Sequence, residues 1–343
     1  MNTYQKVTVF GAGAWGTTLA QVLTDAGNDV LLWARNDSVV EEINTQHTNL
    51  KYLGQIGLPD KLRATNDLSA AFAHSDVYVL AIPTQQLRST LTEWKPHFES
   101  SIKVNKKVPV VVSTLKGIEL TTDLRVSEVI VQVWGEVNFA LITGPNLADE
   151  LVLRQPAGAV VASSNMEIAH RIQRLFTTEY YRIYSSNDVL GCELAGAIKS
   201  VIALAVGMAI GMGHGENTQS MLITRGLNEI ARMCAKNGSD PLTAAGLAGM
   251  GDLVASCGSP LSRNRTFGEV LGETQSMEIT RTRVAKTVEG VSTSRAALEL
   301  AHRVGVEVPI IEAVADVVDG QITPRDAFKR IMEISTRAEA FVE

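Results

Sequence analysis

One lysine of this 343-residue chain has surroundings that suit acid–base chemistry. Lys199 lies in residues 192–200, whose other members are mostly small or apolar, and lysine is rarely buried without a reason. Burial of an amine beside a second cation lowers its pKa toward neutrality, so that it can exchange a proton with a substrate hydroxyl. The alternative is a lysine whose stem covers apolar surface while its ammonium reaches water.

A carboxylate follows three closely spaced glycines in the stretch G-L-A-G-M-G-D-L that begins at Gly246. This residue, Asp252, could orient Lys199 or bind a substrate hydroxyl. It could also cap the helix that follows, which is a common role of aspartate at such a position. The pattern leaves all three interpretations open.

A hydroxyl, an amide and two guanidiniums lie together in S-R-N-R, which consists of Ser262, Arg263, Asn264 and Arg265. Arginine offers a planar fork of donors to phosphate oxygens, so this stretch could clamp a phosphate. The alternative is a solvated basic turn.

A glycine-rich turn near the start of the chain indicates where a nucleotide would bind. Residues 7–10 are an apolar, β-branched run typical of a strand, residues 17–26 have helical spacing, and residues 29–33 form a second strand-like run. Between the first strand and the helix lie three glycines at G-x-G-x-x-G spacing: Gly11, Gly13 and Gly16. Such a turn places a pyrophosphate at the free amides of the helix N-terminus, so we expect a dinucleotide.

The choice between NAD and NADP depends on the end of the second strand. An acidic residue that binds the ribose hydroxyls is usual there, but this chain has Ala34, Arg35 and Asn36. Arg35 could accept a 2′-phosphate, which permits NADP, whereas the nearby Asp37 keeps NAD possible. Arg35 could also be an ordinary surface charge.

Strands alternate with helices through the first half of the chain. Further strands are predicted at residues 77–82, 108–112, 139–143, 159–162 and 182–184, and helices at residues 38–47 and 86–94, with a loop at 49–59. This alternation predicts an α/β, Rossmann-like doubly wound domain over residues 1–187, with ligands at the carboxyl ends of its strands. Strand signals stop near Asp188, so residues 188–343 are predicted to form an all-α domain.

Composition excludes several classes of partner. The net charge of −6 argues against nucleic acid or an anionic membrane as the main partner. The three cysteines, Cys192, Cys234 and Cys257, show no C-x-x-C spacing, which argues against disulfides and a metal site.

The apolar run at residues 201–213 is shorter than the roughly 20 residues of a membrane span, so we expect a core helix. A strand so close to Met1 leaves no room for a signal peptide, which favours a cytoplasmic protein.

Taken together, the motifs resemble the bacterial type of NAD(P)-dependent glycerol-3-phosphate dehydrogenases. The matching stretches run in order over nearly the whole chain: G-A-G-A-W-G-T-T-L-A from Gly11, L-K-G-I-E from Leu115, G-P-N-L-A-D-E from Gly144, E-L-A-G-A-I-K from Glu193, N-T-Q-S-M-L-I-T-R-G-L from Asn217, G-L-A-G-M-G-D-L from Gly246, S-R-N-R from Ser262 and V-E-G from Val288.

The resemblance implies interconversion of dihydroxyacetone phosphate and sn-glycerol 3-phosphate for phospholipid synthesis, by a homodimer. It implies that Lys199 transfers the proton and that Lys116 lies near both nicotinamide and substrate. The substrate site would comprise Lys116, Gly144, Asn146, Lys199, Asp252, Ser262, Arg263 and Asn264, with Asp252 at the glycerol end and Arg263 and Asn264 at the phosphate. The cofactor site would comprise Gly11, Gly13, Ala14, Trp15, Gly16, Arg35, Lys116, Ala148, Arg263 and Glu289.

The chain departs from the family pattern at three positions. Family members often have Ser at Asn146, Asn at Ser200 and Lys at Gln219, and the first two replacements retain hydrogen-bonding ability. His214 is expected to have a structural role.

Two other functions remain as alternatives to a glycerol-3-phosphate dehydrogenase. One is a hydroxy-acid or ketopantoate-type dehydrogenase, and the other is a non-catalytic nucleotide sensor.

Overall fold

The computed structural model describes residues 5–284 and 288–333. The chain divides into two compact units. The N-terminal unit consists of Met1–Leu115, Val126–Ile142 and Asn146–Val189. The C-terminal unit consists of Lys116–Arg125, Thr143–Pro145 and Leu190–Glu343. Two short loops from the first half of the sequence therefore belong to the unit built by the second half.

The N-terminal unit is built on an eight-stranded sheet. Its strands are β1 (Lys6–Phe10), β2 (Asp29–Trp33), β3 (Arg63–Thr65), β4 (Val77–Leu80), β5 (Val110–Ser113), β6 (Asn138–Thr143), β7 (Ala157–Ala162) and β8 (Tyr181–Ser186). They lie in the order β3-β2-β1-β4-β5-β6-β7-β8. The strand β1 pairs in parallel with β2 on one side and β4 on the other. The strand order reverses there, and ligands of such sheets bind at this switch point.

Helices cover this sheet, and the central strands are almost wholly buried. The helices are α1 (Ala14–Asp25), α2 (Asp37–Gln46), α3 (Leu50–Leu53), α4 (Leu68–His74), α5 (Leu87–Asn105), α6 (Val126–Trp134), α7 (Ala148–Leu151) and α8 (Met166–Phe176). Strands β4 and β5 are buried at every position, as expected of parallel strands packed on both faces. Asn36, Asp67 and Asn165 each cap a helix by accepting a backbone N–H.

The rest of the chain is helical, as predicted from the loss of strand signals near Asp188. Its helices are α9 (Val189–Gly211), α10 (Glu216–Lys236), α11 (Asp252–Gly258), α12 (Arg263–Thr274), α13 (Met277–Arg283), α14 (Glu289–Val304), α15 (Pro309–Val318) and α16 (Pro324–Glu333). A 3₁₀ turn, Pro241–Ala245, and a π turn, Leu247–Gly251, precede α11.

The helix α9 is the centre of the C-terminal unit. It is long and apolar enough to cross a membrane by length and composition, but 89% of its most apolar window is buried inside the protein. That burial is the behaviour of a core helix, which agrees with the prediction for residues 201–213. Helix α12 packs closely on α9, because a Cβ at Gly207 would lie 2.2 Å from the Arg265 carbonyl oxygen and one at Gly268 would lie 2.4 Å from the Leu204 carbonyl oxygen.

The predicted secondary structure differs from the observed one at several helices and strand ends. Helix α1 begins at Ala14, three residues before the predicted start, because Gly13 serves as its N-cap. Helix α5 continues through Pro96 to Asn105, well beyond residue 94. A one-turn helix, Leu50–Leu53, interrupts the predicted loop, and the short edge strand Arg63–Thr65 was not predicted.

Candidate active site

Two lysines and one aspartate form an ion-pair cluster in the C-terminal unit. Lys199 Nζ lies 2.9 Å from Asp252 Oδ1, and Lys116 Nζ lies 2.5 Å from Asp252 Oδ2. Asp252 and Lys199 are buried, with 2% and 8% of their surfaces exposed. Each carboxylate oxygen therefore holds one ammonium, so the cluster carries one positive charge that is not compensated within it.

Local structure explains why Lys116 reaches this cluster. It opens the loop Lys116–Arg125, which is closed by an antiparallel bridge between Ile118 and Arg125. The Arg125 guanidinium then pairs with Glu193 at 2.6 Å, in the first turns of α9. Lys199 lies six residues further along the same helix. The pair between Arg125 and Glu193 therefore ties the loop that carries Lys116 to the helix that carries Lys199.

Asp252 is the first residue of α11 and follows directly on the π turn Leu247–Gly251. The N-cap of α11 is Gly251, and the helix start has no side-chain cap. The prediction that Asp252 caps this helix is therefore wrong. The hydrogen bond by which it orients Lys199 is present. Single π turns of this kind are frequent at functional sites.

Sequence reasoning missed Ser256, a further member of the cluster. Its Oγ accepts a hydrogen bond from Lys199 Nζ at 2.6 Å, and the residue is 4% exposed. Spacing carried a signal, since residues four apart on a helix share a face and Ser256 is four residues after Asp252. Lys116 Nζ also donates to the Gly144 carbonyl oxygen at 2.9 Å, which brings a second predicted substrate residue to the cluster.

Electrostatics in the cluster are set by burial and by the mutual charges. Burial opposes ionisation of Asp252, but the charges of Lys116 and Lys199 and their hydrogen bonds outweigh it and lower the pKa of Asp252. Burial lowers the pKa of Lys116 to about 8, with the Asp252 carboxylate opposing the shift and the charge of Lys199 adding to it. At neutral pH the Lys116 ammonium therefore remains mostly protonated.

The S-R-N-R stretch forms the N-terminus of α12. Ser262 is the N-cap and accepts a hydrogen bond from the Arg265 backbone N–H, whereas Arg263 is exposed. Asn264 Oδ1 accepts from the Gly290 backbone N–H at 2.9 Å. This contact joins the S-R-N-R motif to the V-E-G motif. The other polar group of the Asn264 side chain is its amide nitrogen. Glu289 is the first residue of α14.

The glycine turn of the N-terminal unit has the shape of a pyrophosphate site. Gly11 has a φ of +114°, and a Cβ there would lie 2.4 Å from the Ala81 carbonyl oxygen. A Cβ at Gly16 would lie 1.8 Å from the Gly11 carbonyl oxygen, so the strand and helix meet closely there. Gly13 faces open space, and α1 has neither a side-chain cap nor an acidic residue in its first turn. Its amides are thus available to an anion, and the residues fit a dinucleotide.

The other predicted cofactor residues lie on several elements of the two units. Trp15 is partly buried against the sheet core, and Arg35 is exposed just after β2. Ala14 and Ala148 are the first residues of α1 and α7. Glu289 belongs to the C-terminal unit, as does Lys116.

The departures from the family pattern have different surroundings. The Asn146 side-chain oxygen accepts a hydrogen bond from the Tyr181 hydroxyl at 3.1 Å. Ser200 is buried next to Lys199 in α9. Gln219 Nε2 lies 3.4 Å from Glu216 Oε1 on α10.

No metal cluster accompanies these residues. Within residues 5–284 and 288–333, no group of three or more His, Cys, Asp or Glu side chains could hold a metal ion. Three buried cysteines form no disulfide among the described residues: Cys192, Cys234 and Cys257. His214 stacks on Phe328 with ring centroids 4.2 Å apart, which fits its predicted structural role.

Comparison with known proteins shows the family to which this chain belongs. Residues 6–169 match the profile of the NAD-dependent glycerol-3-phosphate dehydrogenase N-terminus, and residues 188–329 match the profile of its C-terminus. The chain is 48% identical over 337 residues to a glycerol-3-phosphate dehydrogenase (NAD(P)+) of Streptomyces griseus, covering 97% of this chain and 98% of that protein.

Solved structures give the same result. The glycerol-3-phosphate dehydrogenase of Coxiella burnetii is 30% identical with a TM-score of 0.88, covering 96% of this chain and 99% of that one. The enzyme of Saccharomyces cerevisiae is 27% identical with a TM-score of 0.81, covering 96% of this chain and 100% of that one. The chain therefore belongs to the NAD-dependent glycerol-3-phosphate dehydrogenase family.

Proposed function

We propose that this protein is an NAD(P)-dependent sn-glycerol-3-phosphate dehydrogenase, which interconverts dihydroxyacetone phosphate and sn-glycerol 3-phosphate by hydride transfer. The cluster of Lys116, Asp252 and Lys199 carries this proposal. Its two ammonium groups share one carboxylate, and the remaining positive charge suits an oxygen that becomes negative during the reaction. The family membership supports the same substrate pair.

The glycine turn would hold the dinucleotide through the free amides of α1. When bound, the nicotinamide supplies the hydride chemistry. NAD and NADP are both compatible with the family, and the exposed Arg35 supports NADP because a guanidinium can bind a 2′-phosphate. The proposed cofactor residues are Gly11, Gly13, Ala14, Trp15, Gly16, Arg35, Lys116, Ala148, Arg263 and Glu289.

Lys199 would act as the general acid in reduction and as the general base in oxidation, at the oxygen on C2 of the substrate. Asp252 and Ser256 fix its ammonium through hydrogen bonds of 2.9 and 2.6 Å. Lys116 would stabilise negative charge on the same oxygen. Its pKa of about 8 leaves it protonated at neutral pH, as that role requires.

The N-terminus of α12 would bind the substrate phosphate. The side-chain oxygens of Ser262 and Asn264 accept hydrogen bonds from backbone N–H groups. The Arg263 guanidinium and the Asn264 amide nitrogen are of the donor type that suits phosphate oxygens. Gly144 and Asn146 complete the proposed substrate set.

The domain roles and the assembly are also part of the proposal. Residues 1–187 would form the cofactor domain and residues 188–343 the substrate domain. The resemblance supports a cytoplasmic homodimer that supplies glycerol phosphate for phospholipid synthesis. Light scattering on the purified protein tests the dimer, since a monomeric mass would contradict it.

A substrate panel tests the reaction. Purified protein is mixed with NADPH or NADH and either dihydroxyacetone phosphate, ketopantoate or a 2-keto acid, and loss of the reduced-nicotinamide absorbance is followed. We expect oxidation with dihydroxyacetone phosphate alone. Turnover of a carboxylate instead would favour the hydroxy-acid or ketopantoate class, and tight cofactor binding without turnover would favour a sensor.

The Lys199→Ala variant tests the site. We expect turnover to collapse while cofactor binding, measured by fluorescence titration, is retained. Lys329→Ala is the matched control, because Lys329 is an exposed lysine of the same unit that pairs with Glu333 at 3.8 Å. Near-normal turnover of Lys199→Ala would refute the assignment.

A further inference from the structure

A buried tyrosine hydroxyl holds one of the proposed substrate residues. Tyr181 is the first residue of β8 and has no exposed surface. Its hydroxyl donates to the Asn146 side-chain oxygen at 3.1 Å, and both residues belong to the N-terminal unit. Asn146 lies two residues after Gly144, whose carbonyl oxygen accepts the Lys116 hydrogen bond. The tyrosine therefore bonds to a residue that lies only two positions along the chain from Gly144.

The side-chain amide nitrogen of Asn146 is shielded from solvent and has no hydrogen-bond partner among the described residues. A shielded donor without an acceptor costs free energy, so native proteins seldom retain one without a use for it. The hydrogen bond from Tyr181 determines which end of the amide faces this position, because a hydroxyl that donates must be met by the carbonyl oxygen.

We infer that Tyr181 is a positioning residue, which orients the Asn146 carboxamide so that its NH₂ group donates to an oxygen of the bound phosphorylated substrate. This inference rests on the proposed function, in which Asn146 contacts substrate. Asparagine has a longer side chain than the serine frequent at this position in the family, and its amide can rotate. The Tyr181 hydroxyl removes that freedom before the substrate arrives, which favours binding.

The Tyr181→Phe variant tests this role, because it removes the hydroxyl and keeps the buried ring. We expect the KM for dihydroxyacetone phosphate to rise about five-fold, the effect of one net hydrogen bond, while kcat changes less than about two-fold. The KM for the cofactor should not change. A KM for dihydroxyacetone phosphate equal to that of the wild type would overturn the inference.

Tyr78→Phe is the matched control. Tyr78 is equally buried in the same unit, and its hydroxyl bonds to the Phe72 carbonyl oxygen and to Ser101. Loss of that hydroxyl should lower the melting temperature without changing the KM for dihydroxyacetone phosphate. A similar rise in KM in both variants would mean that the loss of any buried hydroxyl acts through the fold, which would overturn the inference.

A double-mutant cycle with Asn146→Ala separates the inference from the proposed function. Asn146→Ala should raise the KM, and adding Tyr181→Phe should raise it no further. If Asn146→Ala raises the KM but Tyr181→Phe does not, the positioning role is wrong and the substrate contact stands. If Asn146→Ala leaves the KM unchanged, the proposed contact fails and the inference with it.

Asn146→Asp tests the orientation without altering Tyr181. The carboxylate keeps an oxygen that accepts from the tyrosine hydroxyl but removes the NH₂ donor. We expect a KM at least as high as that of Asn146→Ala, and a wild-type KM in this variant would overturn the inference.

Discussion

Replacement of Asp252 by asparagine removes one charge from the cluster and preserves the shape of the side chain. In the wild type, the two carboxylate oxygens accept hydrogen bonds from Lys116 at 2.5 Å and from Lys199 at 2.9 Å. In the variant, two ammonium groups would face a neutral amide with no anion between them. Loss of one partner from a buried ion pair costs about 3–5 kcal/mol. We therefore expect Asp252→Asn to lower the free energy of unfolding by that amount at about pH 7.

The size of this loss should depend on pH because Lys116 can release its proton. Burial already lowers its pKa in the folded protein from 10.5 to about 8, and removal of the Asp252 charge, which opposes this shift, should lower the pKa further. The folded state then binds fewer protons than the unfolded state, so stability rises with pH in both proteins. From about pH 7 to 9 the wild type gains about 1.4 kcal/mol of stability, mostly above pH 8, and the variant gains more because its Lys116 releases the proton at lower pH. The difference in free energy of unfolding between the two proteins should therefore narrow, by at most about 1.4 kcal/mol.

Urea unfolding of both proteins at about pH 7 and pH 9 measures this gap. Asp319→Asn is the control, because Asp319 forms a half-exposed ion pair with Arg295 at 3.4 Å, which should be worth less than about 1 kcal/mol. If Asp252→Asn costs no more than the control, or if its cost is the same at both pH values, the assignment of a buried charge cluster is wrong.

Three further changes probe features outside the cluster. Burial raises the pKa of Glu229 from 4.5 to about 7, although its carboxylate accepts the Ile310 and Ile311 N–H groups. Its contribution to stability should therefore fall by about 3 kcal/mol as pH rises across that window, and urea titrations of Glu229→Gln should lack this fall. Gly268→Ala should cost about 1–3 kcal/mol, because its Cβ would meet a carbonyl oxygen of α9 at 2.4 Å. Gly258→Ala, where a Cβ meets open space, should cost less than about 1 kcal/mol, and equal melting temperatures of these two variants would contradict the packing argument. Arg35→Ala should raise the KM for NADPH about ten-fold and leave that for NADH unchanged if the guanidinium binds a 2′-phosphate; equal changes for both cofactors would show that it does not.

Local patterns were sufficient to predict the fold class. The glycine turn, the alternation of strands and helices and the helical second half are encoded by residue type and spacing within short windows. Two of the errors occur where the local signal is weak or misleading. Helix α5 passes through Pro96 and ends at Asn105, and the strand Arg63–Thr65 is only three residues long at the edge of the sheet. Neither feature has a strong periodic signal of its own.

The candidate site was predicted as separate residues rather than as an arrangement. Lys199 and Asp252 stood out because of their unusual neighbours, and Lys116 came only from the resemblance. The sequence left three roles open for Asp252. The tertiary structure excludes the helix cap and shows the hydrogen bond to Lys199, and the contact with a substrate hydroxyl stays a prediction. Ser256 was missed because its one signal, a spacing of four residues from Asp252 on the same helix, points to the site only once Lys199 is known to contact that face.

The sequence by itself determined that the first half of the chain is α/β and the second half is helical. It also determined the glycine turn and the types of side chain available for chemistry. Only the tertiary structure decided which atoms meet: Lys116 with Asp252 across 136 residues, and Tyr181 with Asn146 across 35. Secondary structure follows from periodicity within a few turns of chain, which can be read locally. The meeting of distant side chains depends instead on how whole elements pack, and many small contacts between those elements decide it together.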